Sequence, residues 1–333
     1  MGKCYGRAAL SDLVGDSSVV EALLDREVQR RPGRWRPGLR RALIEGNNCS
    51  QMRAAILLDV IGQPSDVQLL RAFSRRAKAG SGAHGLGRGL SRRVADRVLV
   101  SDLGRVRVHV GSRTVDGDSV RRKVLALLCF LIARPRMEAT RDQVVDALWP
   151  EQDPAAASNS LNQTVYFLRR VFEPKYVDDL SPGYLRHETD LIWLDPELIG
   201  AESEACRQAI EVSRKSSTWS SIDLVSRMYR GRFALDFEYE EWSANYRDNL
   251  HASYLEVIEG AVSDELRAAR FDRAIQLCRR ALDIDATSEP IERHLLSLYR
   301  LSGAHAAAEE QYKHYAGQVQ DDLDISAPPL DQI

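Results

Sequence analysis

Side chains able to read a nucleic-acid base recur at helical spacing late in the first half of the chain. Asn159, Gln163, Tyr166, Phe167 and Arg170 share one helical face, with Asn162 and Arg169 on its flanks and Thr164 inside the same turns. Amides and guanidinium groups make bidentate contacts to base edges in a major groove. Arg169 and Arg170 are also suited to hold phosphates. Tyr166 and Phe167 are unusual on a solvent face and make sense if that face meets something. The plain alternative is an ordinary amphipathic surface helix, and the flanking elements decide between the two. Other chemistry is missing from the pattern. No GxxxxGK[ST] loop, HExxH pair or GxSxG elbow occurs, and the seven histidines are scattered. We therefore expect no enzyme, no metal site and no cofactor.

The elements that must position this face are readable from local signals. Thr140 and Gln143 have capping-box spacing, so a helix starts there, and Val144, Val145, Leu148 and Trp149 give it an apolar stripe. Pro150 stops it. Asp153 can cap a second helix with Pro154 in its first turn, where a missing N–H costs nothing. In that helix, residues 154–172, Leu161, Val165, Leu168 and Phe172 fall within about 60° of one another and form the buried stripe.

Around this pair the period changes. Val98 and Val100, then Val106, Val108 and Val110 alternating with Arg105, Arg107 and His109, predict a small antiparallel sheet that turns at Gly111-Ser112. Residues 120–133 predict a mostly buried helix, and residues 184–194, which include Arg186, a closing hairpin. Further on, Ala269–Ile275 and Gly303–Glu309 repeat at an offset of 34, the tetratricopeptide period, within an all-helical, acidic region from residue 200 to 333.

Before the sheet, residues 1–79 read as mostly helical. A short amphipathic helix follows Ser17-Ser18, and Pro32-Gly33 and Pro37-Gly38 read as punctuation. Two short helices meet at Gly62–Ser65 like a single HEAT-like pair, which needs neighbours to bury its faces. Gly80, Gly82 and Gly85 formally match GxGxxG but lack the preceding strand, so residues 80–91 read as a flexible linker.

A chain of 333 residues accommodates two or three domains, and 44% hydrophobic with 28% charged residues is ordinary for a globular protein. No apolar run reaches the roughly 18–20 residues that span a bilayer, and the start of the chain lacks a signal-peptide pattern. No membrane association is expected. Five scattered cysteines read as reduced thiols of a cytoplasmic protein. The net charge of −2 hides an asymmetry: residues 1–173 hold 29 Lys and Arg against 18 Asp and Glu, residues 174–333 hold 17 against 30. A basic first half fits nucleic-acid binding.

Particular stretches then resemble a known family. Arg121–Leu128, Asp146–Pro150, Ala155–Asn159, Phe167–Arg170 and Ser181–Tyr184 resemble the OmpR/PhoB-type winged helix, in the version found in Streptomyces antibiotic regulatory protein (SARP, AfsR-like) regulators. Tyr229–Phe233, Trp242, the repeats and residues 321–330 resemble the bacterial transcriptional activator domain that follows it there. The resemblance covers about residues 97–333. It implies a mainly α protein: a helical N-terminal region with linker (1–90), a winged helix-turn-helix DNA-binding domain (97–196) and an all-α TPR-like domain (200–333). It further implies a recognition helix at 154–172, a wing at 184–194, double-stranded DNA and RNA polymerase as partners, and action as a homodimer on direct repeats. The family commonly carries a basic residue where Thr164, Tyr166 or Phe167 stands here. An alternative reading is a helical-repeat scaffold whose winged helix binds protein.

Overall fold

The computed structural model describes residues 18–77 and 83–329, so Ser17, Gly80, Gly82 and Leu330 lie outside the described residues. The chain divides into two compact units, one of residues 1–97 with 169–186, the other of residues 98–168 with 187–333.

Among the described residues, the first unit gathers five α-helices: α1 (Ser18–Arg30), α2 (Pro32–Glu45), α3 (Asn48–Ile61), α4 (Asp66–Arg76) and α5 (Arg88–Val94). The HEAT-like pair is α3 and α4, and its missing neighbours are the other three helices. Leu39, Leu43, Leu58, Leu70 and Leu90 meet in one core, with Leu180 from the returning segment packed on it. Two sequence expectations fail here. Pro32 and Pro37 do not break the chain: Pro32 opens α2, where it forfeits no bond, and Pro37 sits inside it. Burying Leu39 and Leu43 on α3 outweighs the one bond Pro37 cannot make. Nor is the described part of the expected linker, residues 83–91, without structure: it forms a short 3-10 turn and the start of α5. Gly87, at φ 84°, caps α5 in the left-handed region that suits glycine. The Asp59 carboxylate accepts from the N–H of Gly87 at 2.7 Å and of Leu90 at 3.2 Å.

Residues 173–184, between the expected recognition helix and the wing, are gripped by these helices. The buried Arg71 guanidinium donates to the carbonyl of Asp179 at 2.7 Å and pairs with its carboxylate. Ser91 Oγ donates to Leu180 O at 2.6 Å, and Tyr184 Oη donates to Asp96 O at 2.6 Å.

The second unit opens with β1 (Val98–Ser101), β2 (Arg107–Val110) and β3 (Arg113–Asp116). Val98 and Val100 on β1 and Val108 and Val110 on β2 are buried, as the alternation requires. Three helices follow: α6 (Arg122–Ile132), α7 (Arg141–Leu148) and α8 (Pro154–Phe172), the last ending in the first unit. A short strand, β4 (Glu138–Thr140), joins the expected hairpin β5 (Leu185–Glu188) and β6 (Leu191–Leu194) in a sheet ordered β4-β6-β5. β7 (Ile199–Ala201) then pairs in parallel with β1, giving the order β3-β2-β1-β7. The winged helix thus continues directly into the helical region: α9 (Glu202–Lys215), α10 (Trp219–Met228), α11 (Glu241–Arg267), α12 (Phe271–Leu282), α13 (Glu289–Leu301) and α14 (His305–Leu323).

The junction is polar and buried. Asp102, with no exposed surface, accepts from Ser203 N–H at 2.8 Å and Ser203 Oγ at 2.6 Å. Burial, opposed by those two bonds, pushes its carboxyl up to about 7. Asp236 accepts from Val106 N–H at 2.7 Å, and Leu103 joins the core of the helical region. The two copies of the 34-residue repeat start α12 and α14, and their equivalent Ala274 and Ala308 are both buried at close helix contacts. The molecule is mainly α, a winged helix followed by an all-α domain, and no helix among the described residues is long and apolar enough to cross a membrane.

Candidate nucleic-acid interface

Two caps set the helix-turn-helix. Thr140 Oγ1 accepts from Gln143 N–H at 3.2 Å while Gln143 Oε1 accepts from Thr140 N–H at 3.0 Å, the reciprocal pair its spacing predicts. Asp153 Oδ1 accepts from the N–H groups of Ala155 and Ala156, each at 3.1 Å, and so starts α8. Leu161, Val165, Leu168 and Phe172 are then all buried.

The residues carrying the family resemblance hold this arrangement together. The Arg121 guanidinium lies 3.9 Å from the centroid of Phe167. Lys123 Nζ donates to Leu148 O at 2.6 Å, joining α6 to the end of α7. Arg122 donates to Asp236 O at 3.2 Å and to Glu240 Oε1 at 3.0 Å, joining α6 to the helical domain.

What remains outward on α8 is a stripe at i, i+3, i+4 and i+7: Asn159, Asn162, Gln163 and Tyr166 are all exposed. Tyr166 is 46% exposed and meets Phe167 edge to face at 5.5 Å. Arg170, exposed, continues the same spacing in the last turn, where its Nε donates to Pro174 O at 3.4 Å. Other expected contact residues stand elsewhere. Thr164 is buried, its hydroxyl donating to Ser160 O at 2.7 Å one turn back. Phe167 is half-buried beneath Arg121. Arg169 is half-buried too: its Nε donates to Leu185 O at 3.3 Å and its guanidinium lies 5.2 Å from the Tyr176 ring. Arg186 is half-buried on β5. Nearby Glu173 accepts from Ser181 Oγ at 2.6 Å, and its burial, despite that bond, raises its carboxyl above the ordinary range.

One residue escaped the sequence reading. Arg141, first in α7, donates to Asn162 Oδ1 at 3.2 Å and to Ser158 Oγ at 2.9 Å, and it touches the His187 ring. It supplies a cation beside the exposed stripe and orients the Asn162 amide. Its position directly after the capping Thr140 was the available signal, since the first residue of the preceding helix packs beside the recognition helix.

Charge does not follow the simple division into halves. Residues 97–196 hold 14 Lys and Arg against 14 Asp and Glu, while residues 1–96 hold 17 against 9. The basic excess of the first half therefore belongs mostly to the N-terminal helices and not to the winged helix.

Residues 194–330 match the family model of the bacterial transcriptional activator domain. No curated protein matches the chain. Among solved structures, Mycobacterium tuberculosis EmbR, in complex with a low affinity phosphopeptide, is similar at 20% identity with a TM-score of 0.49. The match covers 71% of this chain and 63% of that one, so this chain spans less than two thirds of that structure's length. The activator domain stands where the SARP-type resemblance requires it, directly after the winged helix, and the chain is similar to transcription regulators of that kind.

Proposed function

We propose that this regulator binds double-stranded DNA through α8 and acts as a transcriptional activator. The observation that carries the reading is the exposed stripe Asn159–Asn162–Gln163–Tyr166, offered on a helix whose opposite side is wholly buried. The three amides are chemically matched to base edges, and Asn or Gln pairs bidentately with adenine. Arg141, Arg170 and Arg186 supply guanidinium groups for phosphates. Contact with RNA polymerase through the acidic helical domain and assembly as a homodimer on direct repeats complete the proposal.

A second reading has its own support. The zero net charge of residues 97–196 and the exposed Tyr166 ring fit a winged helix that binds protein. The deciding experiment is selection of genomic DNA fragments by the whole chain at two salt concentrations, because the segment 169–186 packs with the N-terminal helices and an excised winged helix would lose that support. Enrichment of a few fragments that share a repeat, retained at the higher salt, is the expected outcome. Uniform weak binding that vanishes at the higher salt would exclude sequence-specific regulation by this chain.

A further inference from the structure

A groove of about 840 Å³ lies where the winged helix meets the helical domain. That is the size of small-molecule sites, and domain junctions are a common place for them. The turn that follows α6 lines it with Arg134, Pro135 and Arg136, β7 with Gly200, and α9 with Glu204, Ala205 and Arg207. Pro135, Gly200 and Ala205 are exposed, as is Pro196, which also lines it, so uncharged surface is open to a ligand there.

The charges around this groove do not balance. Glu204 is the one carboxylate among its lining residues, and both of its oxygens are engaged: Oε2 accepts from Arg207 Nε and Oε1 from Arg207 Nη2, each at 2.8 Å, and Oε1 also accepts from Gln208 Nε2 at 2.8 Å. Arg136 pairs at 2.5 Å with Glu138, which is not among the lining residues. Arg134 is left over. It is half-buried, its guanidinium lies 4.5 Å from the centroid of the Phe130 ring, and among the described residues it has no ion-pair or hydrogen-bond partner. A ring beneath the guanidinium plane satisfies none of the five N–H groups, which point outward within that plane. The backbone beside it is unusual too. Arg136 and Met137, at φ 58° and 55°, are consecutive non-glycine residues in the left-handed region, and such backbone gathers at ligand-binding segments.

We infer that this groove binds a small molecule with an apolar body and one carboxylate, which accepts from the Arg134 guanidinium. The single charge follows from the balance: of the three arginines that line the groove, only Arg134 lacks a carboxylate. A carboxylate matches the planar fork of a guanidinium with two parallel N–H···O bonds. The body suits the uncharged surface of Pro135, Pro196, Gly200 and Ala205. Such a molecule would touch the end of α6 and the start of α9 at once, and so bridge the two domains. The inference does not depend on whether α8 reads DNA.

The test is calorimetric titration of the full chain with octanoate and with 4-phenylbutyrate, using 1-octanol as the neutral control and octylammonium as the control of opposite charge. We expect saturable binding of at least one carboxylate, at least tenfold weaker binding of both controls, and at least tenfold weaker binding of that carboxylate by Arg134→Gln. This variant keeps a long polar side chain at a half-buried position and removes no ion pair, so the fold is retained. Ala205→Trp, at an exposed position of α9, fills the groove while leaving Arg134 in place; it should also abolish binding, and it stands in if the first variant misfolds. Failure of both carboxylates to saturate the native chain, equal affinity in Arg134→Gln, or binding of 1-octanol or octylammonium as tight as that of octanoate would overturn the inference.

Discussion

Neighbouring side chains on α8 do different work, and substitution separates them. Asn159 and Gln163 are exposed, whereas Thr164 is buried with its hydroxyl on Ser160 O. Asn159→Ala and Gln163→Ala should each lower affinity for the preferred DNA sequence by about 1–3 kcal/mol, with little change for unrelated sequence. Thr164→Val should leave DNA binding intact and lower stability by about 1 kcal/mol. Band-shift titration combined with chemical denaturation distinguishes the two classes. Two buried carboxyls also set a pH dependence. Asp102 and Glu292 are both raised by burial to about 7, above their unfolded range near 4. The fold holds their protons more tightly than the unfolded chain does, so their contribution to stability is full below about pH 4 and is lost as pH rises through about 7. The denaturation midpoint should fall between pH 5 and 8, and Asp102→Asn together with Glu292→Gln should flatten that fall. A fall of the same size in the double variant would assign it to other groups.

At the scale of elements, the helix-turn-helix depends on its caps and the first unit on its grip. Thr140→Ala removes the capping box of α7 and should cost about 1 kcal/mol. Arg71→Met should cost more, about 2 kcal/mol, because it removes the donor to Asp179 O and leaves the half-exposed Asp179 carboxylate to Arg75 alone. Protection of residues 169–186 against hydrogen exchange should fall selectively in that variant. Unchanged protection there would show that Leu180, Ser91 and Tyr184 hold the segment without Arg71. These elements differ in how readable they were. The capping box, the Asp153–Pro154 start and the valine alternation are local signals carried within a few residues, and each stands as expected. Pro32 and Pro37 are also local signals, but they misled, because the burial that keeps α2 helical involves α3.

For the whole molecule, the distribution of charge governs how DNA binding should respond to salt. With residues 97–196 neutral overall, Arg141, Arg170 and Arg186 are the main phosphate donors proposed. About three neutralised phosphates give a slope of log affinity against log salt on the order of −3. A slope near twice that would assign further phosphate contacts to the Arg-rich N-terminal helices. The sequence by itself determined the elements of the winged helix, the buried side of α8, the 34-residue repeat and the acidic helical domain. All of these rest on hydrophobic period, caps and spacing, which act over one or two turns. Only the tertiary structure decided that β7 pairs with β1, that Asp102 binds Ser203 across a distance of about a hundred residues, that Thr164 is buried while Gln163 is exposed, and that the N-terminal helices hold residues 173–184. Each of those outcomes depends on partners distant in the chain, whose meeting is set by burying shared apolar surface and satisfying buried polar groups, and no local pattern encodes that choice.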